Sequence, residues 1–215
     1  MSDSTASGYD AVAAEYANHL FHELDGKPFD REFLTRFVSV LPSGPILDVG
    51  CGPGHVSRYV QGLGREVSGV DISSGMIACA RELNPGIPFH VGDMRSLPFP
   101  SASFAGLIAF YSIIHLQAEE LPAVFTEMRR LLVPGGVLAL SFHIGDEVRH
   151  IEELWGVKTC LDFVFFEPDT VAAALGAAGL DIVEKICREP YDATVEVQTH
   201  RCYILAKAGT AASGS

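Results

Sequence analysis

Basic residues are scarce in this 215-residue chain: 15 Lys and Arg face 27 Asp and Glu, for a formal net charge of −12. A protein that tracks nucleic-acid phosphates needs clustered cations, so a nucleic-acid partner is disfavoured, as are polyanionic ligands, local patches aside. Cysteine is also sparse. Cys51, Cys79, Cys160, Cys187 and Cys202 are odd in number and form no CxxC pair, which argues against a disulfide framework or a metal knuckle. Free thiols packed as small apolar groups in a reducing, cytoplasmic setting fit better. The opening Met-Ser-Asp-Ser-Thr-Ala-Ser-Gly has neither the basic region nor the apolar run of a secretory signal. No apolar stretch is long enough to cross a bilayer, so no membrane partner is expected. Tryptophan occurs once, at Trp155.

What is present is an ordinary globular composition, 48% hydrophobic and 20% charged, over a length that suits a single domain. From Tyr9 to Leu41 apolar residues recur at helical spacing, and Asp25-Gly26-Lys27-Pro28 divides them into two helices. Short apolar strands then alternate with helices: strands near 45–49, 66–70, 87–91, 104–110 and 137–142, with helices near 55–61, 73–83 and 119–132. Another helix opens near Pro168, and strands near 181–187 and 201–206 close the chain with no helix between them. Alternation with near-continuous apolar strands predicts a parallel sheet covered on both faces. The missing last helix predicts an antiparallel final strand. The expected organisation is one domain over 1–215: a helical cap (1–41), an irregular substrate-side insertion (144–167) that interrupts the alternation, and a disordered small-residue tail (208–215).

The densest chemical signal is Ile46-Leu47-Asp48-Val49-Gly50-Cys51-Gly52-Pro53-Gly54-His55, a strand running through glycines into a helix. Glycines admit close approach of a ligand, and a helix N-terminus offers N–H groups. A dinucleotide fingerprint wants a glycine where His55 stands. The second strand ends in Val70-Asp71-Ile72-Ser73, and an acid there can accept bonds from both hydroxyls of a ribose. Gly92-Asp93-Met94 follows the third strand, where an acid can bind an adenine amino group and a methionine can pack on the ring. Leu132-Val133-Pro134-Gly135-Gly136 leads into the fifth strand.

In this order, the four elements resemble the class I S-adenosylmethionine-dependent methyltransferases, and most closely their small bacterial ubiquinone/menaquinone-type members. The resemblance implies an α/β, Rossmann-like, doubly wound fold with a mainly parallel seven-stranded sheet. The implied cofactor is S-adenosylmethionine, released as S-adenosylhomocysteine, and the implied reaction is in-line methyl transfer to a small molecule. It also implies roles. Asp48, Gly50, Cys51 and Gly52 would hold the methionine portion, Asp71 the ribose, Ile72 and Met76 the adenine faces, Asp93 and Met94 the adenine edge. Phe110 would lie beside the sulfonium, and Tyr9 or Tyr16 would close over the cofactor.

In open α/β sheets ligands bind beyond the carboxyl ends of the strands. That position makes His115 and His143 candidates for a general base or for orienting the acceptor, each with packing as its plainer role. Tyr111 and Ser112 fall in the same region. Phe21, His22 and Trp155 are candidates for an aromatic acceptor wall. His143, Asp146, Glu147 and His150 would share a face if helical, yet no metal signature is complete, and no metal is expected. A nicotinamide oxidoreductase, a non-methylating enzyme on the same cofactor and a non-enzymatic binding module are the rival readings. Neither the acceptor atom nor the oligomeric state is legible.

Overall fold

A computed structural model of the chain describes residues 2–209. In chain order its elements are α1 (Ser2–Leu20), α2 (Pro28–Val40), β1 (Ile46–Val49), α3 (His55–Gly62), β2 (Val67–Asp71), α4 (Ser74–Leu83), β3 (Phe89–Val91) and β4 (Phe104–Phe110). They continue as α5 (Leu121–Leu131), β5 (Leu132–His143), β6 (Val148–Leu154), β7 (Val157–Val164), α6 (Pro168–Ala177), β8 (Leu180–Arg188) and β9 (Arg201–Ala208). Short 3-10 turns lie at Glu23–Gly26, Ile113–His115 and Ala118–Glu120.

Seven strands form one sheet in the order β3-β2-β1-β4-β5-β9-β8. The pairs among β1 to β5 are parallel, and β9 runs antiparallel to both neighbours. The order reverses at β1, so the chain leaves a crevice beyond the carboxyl ends of β1 and β4, where a ligand fits this architecture. Strands β1 and β4 are almost wholly buried. Their apolar runs, interrupted by Asp48 in β1, have somewhere to go because one face packs on α2, α3 and α4 through Phe33, Phe37, Val60 and Ile77. The other face packs on α5 and α6 through Phe125, Met128, Val171 and Leu175. Each such buried side chain contributes about 1.5–3 kcal/mol of apolar transfer.

Local signals set the helix starts. Pro28 opens α2 and Pro168 opens α6, where a missing N–H costs nothing. Ser73 caps α4 by accepting from the Met76 amide at 3.0 Å.

The segment expected to be irregular is a β-hairpin. β6 pairs antiparallel with β7, and Trp155 (φ 49°) and Gly156 (φ 81°) form its tip. Two left-handed residues match the twist of a tight two-residue turn. The hairpin leaves the main sheet at His143 and returns beside it, since the Phe166 amide donates to the His143 carbonyl at 3.0 Å. It packs on α1, where Thr159 donates to the Gly8 carbonyl at 2.8 Å. A methyl group at Gly8 would lie 2.7 Å from Leu161. Helix α1 also begins well before Tyr9. Of the tail expected to be disordered, Ala208 is a buried strand residue, and 210–215 lie outside the described residues. Among the described residues no helix is long and apolar enough to cross a membrane.

Candidate functional site

A cavity of about 1030 Å³, counted out to its mouth, opens beyond the carboxyl ends of β1, β2 and β4. Its floor is Val49 to Gly52, Asp71, Ile72, Met76, Gly92 to Arg95 and Phe110 to Ser112. Its roof and far wall come from α1, from the linker to α2, from the first turn of α2 and from the turn after β4: Tyr9, Tyr16, Glu23, Leu24, Lys27, Asp30 and His115.

Gly50 makes the floor possible. Its φ is +73°, and a methyl group there would lie 2.3 Å from Cβ of Ser112, so both backbone conformation and space require glycine. The turn does not offer free donors. The Gly50 and Cys51 amides donate to the Val70 carbonyl, and the Gly52 amide donates to Asp71 Oδ2 at 2.9 Å. Its contribution is close approach.

Asp71 is buried at the end of β2. Burial raises its pKa, opposed by the Ser73 and Gly52 amides, which donate one to each carboxylate oxygen. Each oxygen therefore keeps a lone pair, and the side chain lines the cavity. Asp48 is different. Its carboxylate accepts from the Ser57 hydroxyl at 2.7 Å beneath the floor, and burial raises its pKa to about 6.

Polar contacts hold the roof down. Asp10 of α1 accepts from the Ser73 hydroxyl at 2.6 Å and the Gly75 amide at 2.7 Å, at the start of α4. His115 links the roof to the hairpin: its Nδ1 lies 2.8 Å from the Asp162 carbonyl and its Nε2 2.7 Å from the Tyr9 hydroxyl. A carbonyl only accepts, so Nδ1 carries the hydrogen and Tyr9 donates to Nε2. Burial lowers the His115 pKa to about 4.

The far end is charged. Glu23 accepts from Lys27 at 2.5 Å and pairs with His55 at 2.9 Å. Burial alone would raise the Glu23 pKa, but the His55 hydrogen bond and the charges of His55 and Lys27 hold it near 2. Asp30 accepts from the Tyr203 hydroxyl at 2.7 Å, and Tyr203 contacts the Tyr111 hydroxyl at 2.8 Å.

Residues 46–136, which carry the glycine turn, Asp71, Asp93 and the Pro-Gly-Gly turn, match the family model described as a methyltransferase domain. This segment is a methyltransferase domain, and the chain has the fold of S-adenosylmethionine-dependent methyltransferases.

The chain is 30% identical over 148 residues to a malonyl-[acyl-carrier protein] O-methyltransferase of Enterobacter lignolyticus, covering 67% of this chain and 58% of that protein. It is 29% identical over 178 residues to the sterol 24-C-methyltransferase ERG6B of Gibberella zeae, covering 74% and 46%. The CcbJ methyltransferase of Streptomyces caelestis shares the fold at a TM-score of 0.72 with 19% identity, covering 97% of this chain and all of that one. The chain spans about half the length of the curated relatives it matches. The ubiquinone/menaquinone subclass is not singled out by these relatives.

The structure brings Tyr16, Gly50, Cys51, Gly52, Asp71, Ile72, Met76, Asp93, Met94, Phe110, Tyr111 and His115 around the methyltransferase cavity. It places others elsewhere. Phe21 and His22 sit on the outer side of the α1–α2 linker, along a shallow groove with Arg58 and Tyr59. Trp155, at the hairpin tip, stacks on His19 and meets Tyr16 edge-on. His143 lies behind the cavity wall, between Tyr111 and Phe165, with Nδ1 2.8 Å from the Thr199 hydroxyl. Its pKa falls to about 3 through burial and the nearby Arg201, Lys27 and Arg149 charges. The segment holding His150 is strand, so helical spacing with His143 does not apply; His150 pairs with Asp162 at 2.6 Å. Among the described residues no three His, Cys, Asp or Glu are grouped to hold a metal.

Glu23, Lys27, Asp30 and His55 were not foreseeable as site residues. The visible signal was a Glu-Lys pair four apart beside a helix-starting Pro-Phe-Asp, which reads equally as a solvated break.

Proposed function

We propose that this chain transfers the methyl group of S-adenosylmethionine to a small molecule held beside Tyr111, on the Asp30 side of the cavity. The observation that carries the reading is Asp71, a buried carboxylate whose two oxygens each accept a single amide and face the cavity, as a pair of ribose hydroxyls requires. Two buried polar atoms without a protein partner, Ser112 Oγ and His55 Nδ1, belong to residues lining the same cavity and fit the polar methionine end. Ile72, Met76 and Met94 supply apolar surface for an adenine, with Asp93 at its edge. When bound, the cofactor supplies a methyl group on a positive sulfur with a good leaving group.

The residues then have to orient and exclude water. Tyr9 and Tyr16 cover the cavity from α1. His115 has both nitrogens engaged and stays neutral, so it holds Tyr9 over the site and leaves proton removal to another group. His143 supports the wall behind Tyr111. The net charge of −12 favours a small acceptor over nucleic acid, and free thiols suit a cytoplasmic setting. Calorimetric titration with S-adenosylhomocysteine, with NAD as control, tests the reading, followed by a screen for methyl transfer from labelled S-adenosylmethionine. Micromolar S-adenosylhomocysteine binding is expected. NAD binding without S-adenosylhomocysteine binding would overturn it.

A further inference from the structure

We propose that the acceptor presents an O–H or N–H at the atom that is methylated, and that Tyr111 receives its proton at the head of a one-way hydroxyl chain ending on Asp30. The proposal rests on the methyl-transfer reading above and names the substrate class of that site.

The direction of the chain follows from hydrogen-bond bookkeeping at one buried atom. The Tyr203 hydroxyl lies 2.8 Å from Arg188 Nη2, 2.7 Å from Asp30 Oδ1 and 2.8 Å from the Tyr111 hydroxyl. A guanidinium only donates and a carboxylate only accepts, so the single hydrogen of Tyr203 goes to Asp30. Tyr203 has none left for Tyr111, and Tyr111 must donate to it. The Tyr111 oxygen can then only accept from a group that reaches it in the cavity that Tyr111 lines. A hydroxyl or amine suits it. A carboxylate, ether or thioether would set lone pair against lone pair.

The parts are built for this arrangement. Tyr111 follows β4 directly and holds φ at +48°, a left-handed conformation that a bulky residue keeps only where its surroundings impose it. Asp30 and Tyr203 are 1% and 0% exposed. Burial pushes both phenols far above their ordinary pKa, so they pass protons without resting as phenolates. Burial also raises the pKa of Asp30, against the Tyr203 bond and the Lys27 and Arg188 charges, which suits the group where the proton stops. Lys27 and Arg201 each lie 5.9 Å from the Tyr111 ring. Their charge favours anions, so a preference for neutral donors would have to come from the direction of the chain.

The balance is as follows. The acceptor's X–H bond breaks as its X–CH3 bond forms, the sulfur keeping the S–CH3 pair. The proton goes to Tyr111, the Tyr111 proton to Tyr203 and the Tyr203 proton to Asp30, which ends as a neutral acid. Asp30 borders the cavity, so that proton leaves to water with the product.

The test uses 4-nitrophenol, whose phenolate absorbs in the visible, at the pH where the free compound is half ionised, with and without S-adenosylhomocysteine. Wild type should bind the neutral form, lowering the phenolate-to-phenol ratio about tenfold, the scale of one hydrogen bond. Tyr111→Phe should return the ratio toward that of free 4-nitrophenol. Tyr203→Phe frees the Tyr111 hydrogen to turn into the cavity and should raise the phenolate ratio above wild type. A merely structural Tyr203 would change affinity without reversing that preference. By calorimetry, phenol and benzylamine should bind at least about tenfold more tightly than anisole and benzoate. Preferential phenolate binding by wild type, an unchanged ratio in Tyr203→Phe, tightest binding of benzoate, or no binding of 4-nitrophenol, phenol or benzylamine would each overturn the chain. Failure to bind S-adenosylhomocysteine would overturn the methyl-transfer reading separately, because the absorbance test runs without it.

Discussion

Replacing Gly50 with alanine separates two costs that the glycine turn avoids. At φ +73° an L-residue pays about 1–2 kcal/mol for the left-handed conformation. The new methyl group would also lie 2.3 Å from Ser112 Cβ and 3.1 Å from its Oγ. Relieving such overpacking costs about 1–3 kcal/mol more. In a domain of this size each kcal/mol lowers the melting temperature by about 2–4 °C, so Gly50→Ala should melt roughly 5–15 °C early. Ser112→Gly removes the obstructing atoms, leaving Ser112 Cα at 3.5 Å, an ordinary contact. The double variant should therefore recover the steric part and retain only the backbone part, about 2–8 °C. Melting curves of the four proteins give the coupling directly, and calorimetry should show S-adenosylhomocysteine affinity falling in the single alanine variant and recovering only in part in the double, which lacks the Ser112 hydroxyl. Additive melting shifts, or wild-type melting and binding in Gly50→Ala, would refute the account of this turn.

Asp71→Asn keeps the shape but removes the charge and one acceptor, so S-adenosylhomocysteine binding should weaken roughly 10–100-fold by calorimetry, the equivalent of one charge-assisted bond of about 1.5–3 kcal/mol. His115 is held near 4 against an ordinary 6.5; as pH falls through this window the unfolded chain takes up the proton first, so stability declines. That part of the decline should disappear in His115→Gln when melting is followed against pH. Glu23, held near 2 against 4.5, contributes stability above pH 4.5 that is lost as pH falls toward 2, and Glu23→Gln should flatten the curve there. Trp155→Gly should lower the melting temperature, because loss of the part-buried ring and of its His19 and Tyr16 contacts, about 0.5–1.5 kcal/mol beyond the area they bury, outweighs relief of a left-handed residue, about 1–2 kcal/mol.

Sequence patterning reaches as far as burial is symmetric. Strands β1, β4 and β5 are legible because both faces are covered and the apolar run is nearly continuous, and the Ser73 cap and the Pro28 and Pro168 helix starts are local chemistry. The β6–β7 hairpin escapes for the opposite reason. Val-Arg-His-Ile-Glu-Glu-Leu is mostly exposed and does not alternate, because it pairs only with β7 outside the main sheet, and it is β7 that packs on α1. Ser2 to Gly8 carries no apolar period, yet joins α1 because Gly8 lets the hairpin come close. In the site, the glycine turn, Asp71 and Asp93 could be found from contiguous motifs. The network of Asp30, Arg188 and Tyr203 could not, because Asp30 and Tyr203 are 173 positions apart and neither is unusual in its own neighbourhood. Phe21 and His22 line an outer groove and Trp155 packs on His19 and Tyr16 from the hairpin tip, placements that spacing across a linker or a turn does not determine.

The hairpin enters and leaves the fold at one point, where His143 and Phe166 are already hydrogen-bonded neighbours. A segment with coincident ends is a cassette: a short turn could replace it without moving β5 or α6. It nevertheless supplies the carbonyl that orients His115 and, through His115 and Thr159, steadies α1 over the site. A lineage or a designer could thus exchange hairpins to re-aim the ceiling above the acceptor while the floor that reads the cofactor stays intact, so acceptor choice could diverge in this scaffold faster than cofactor choice.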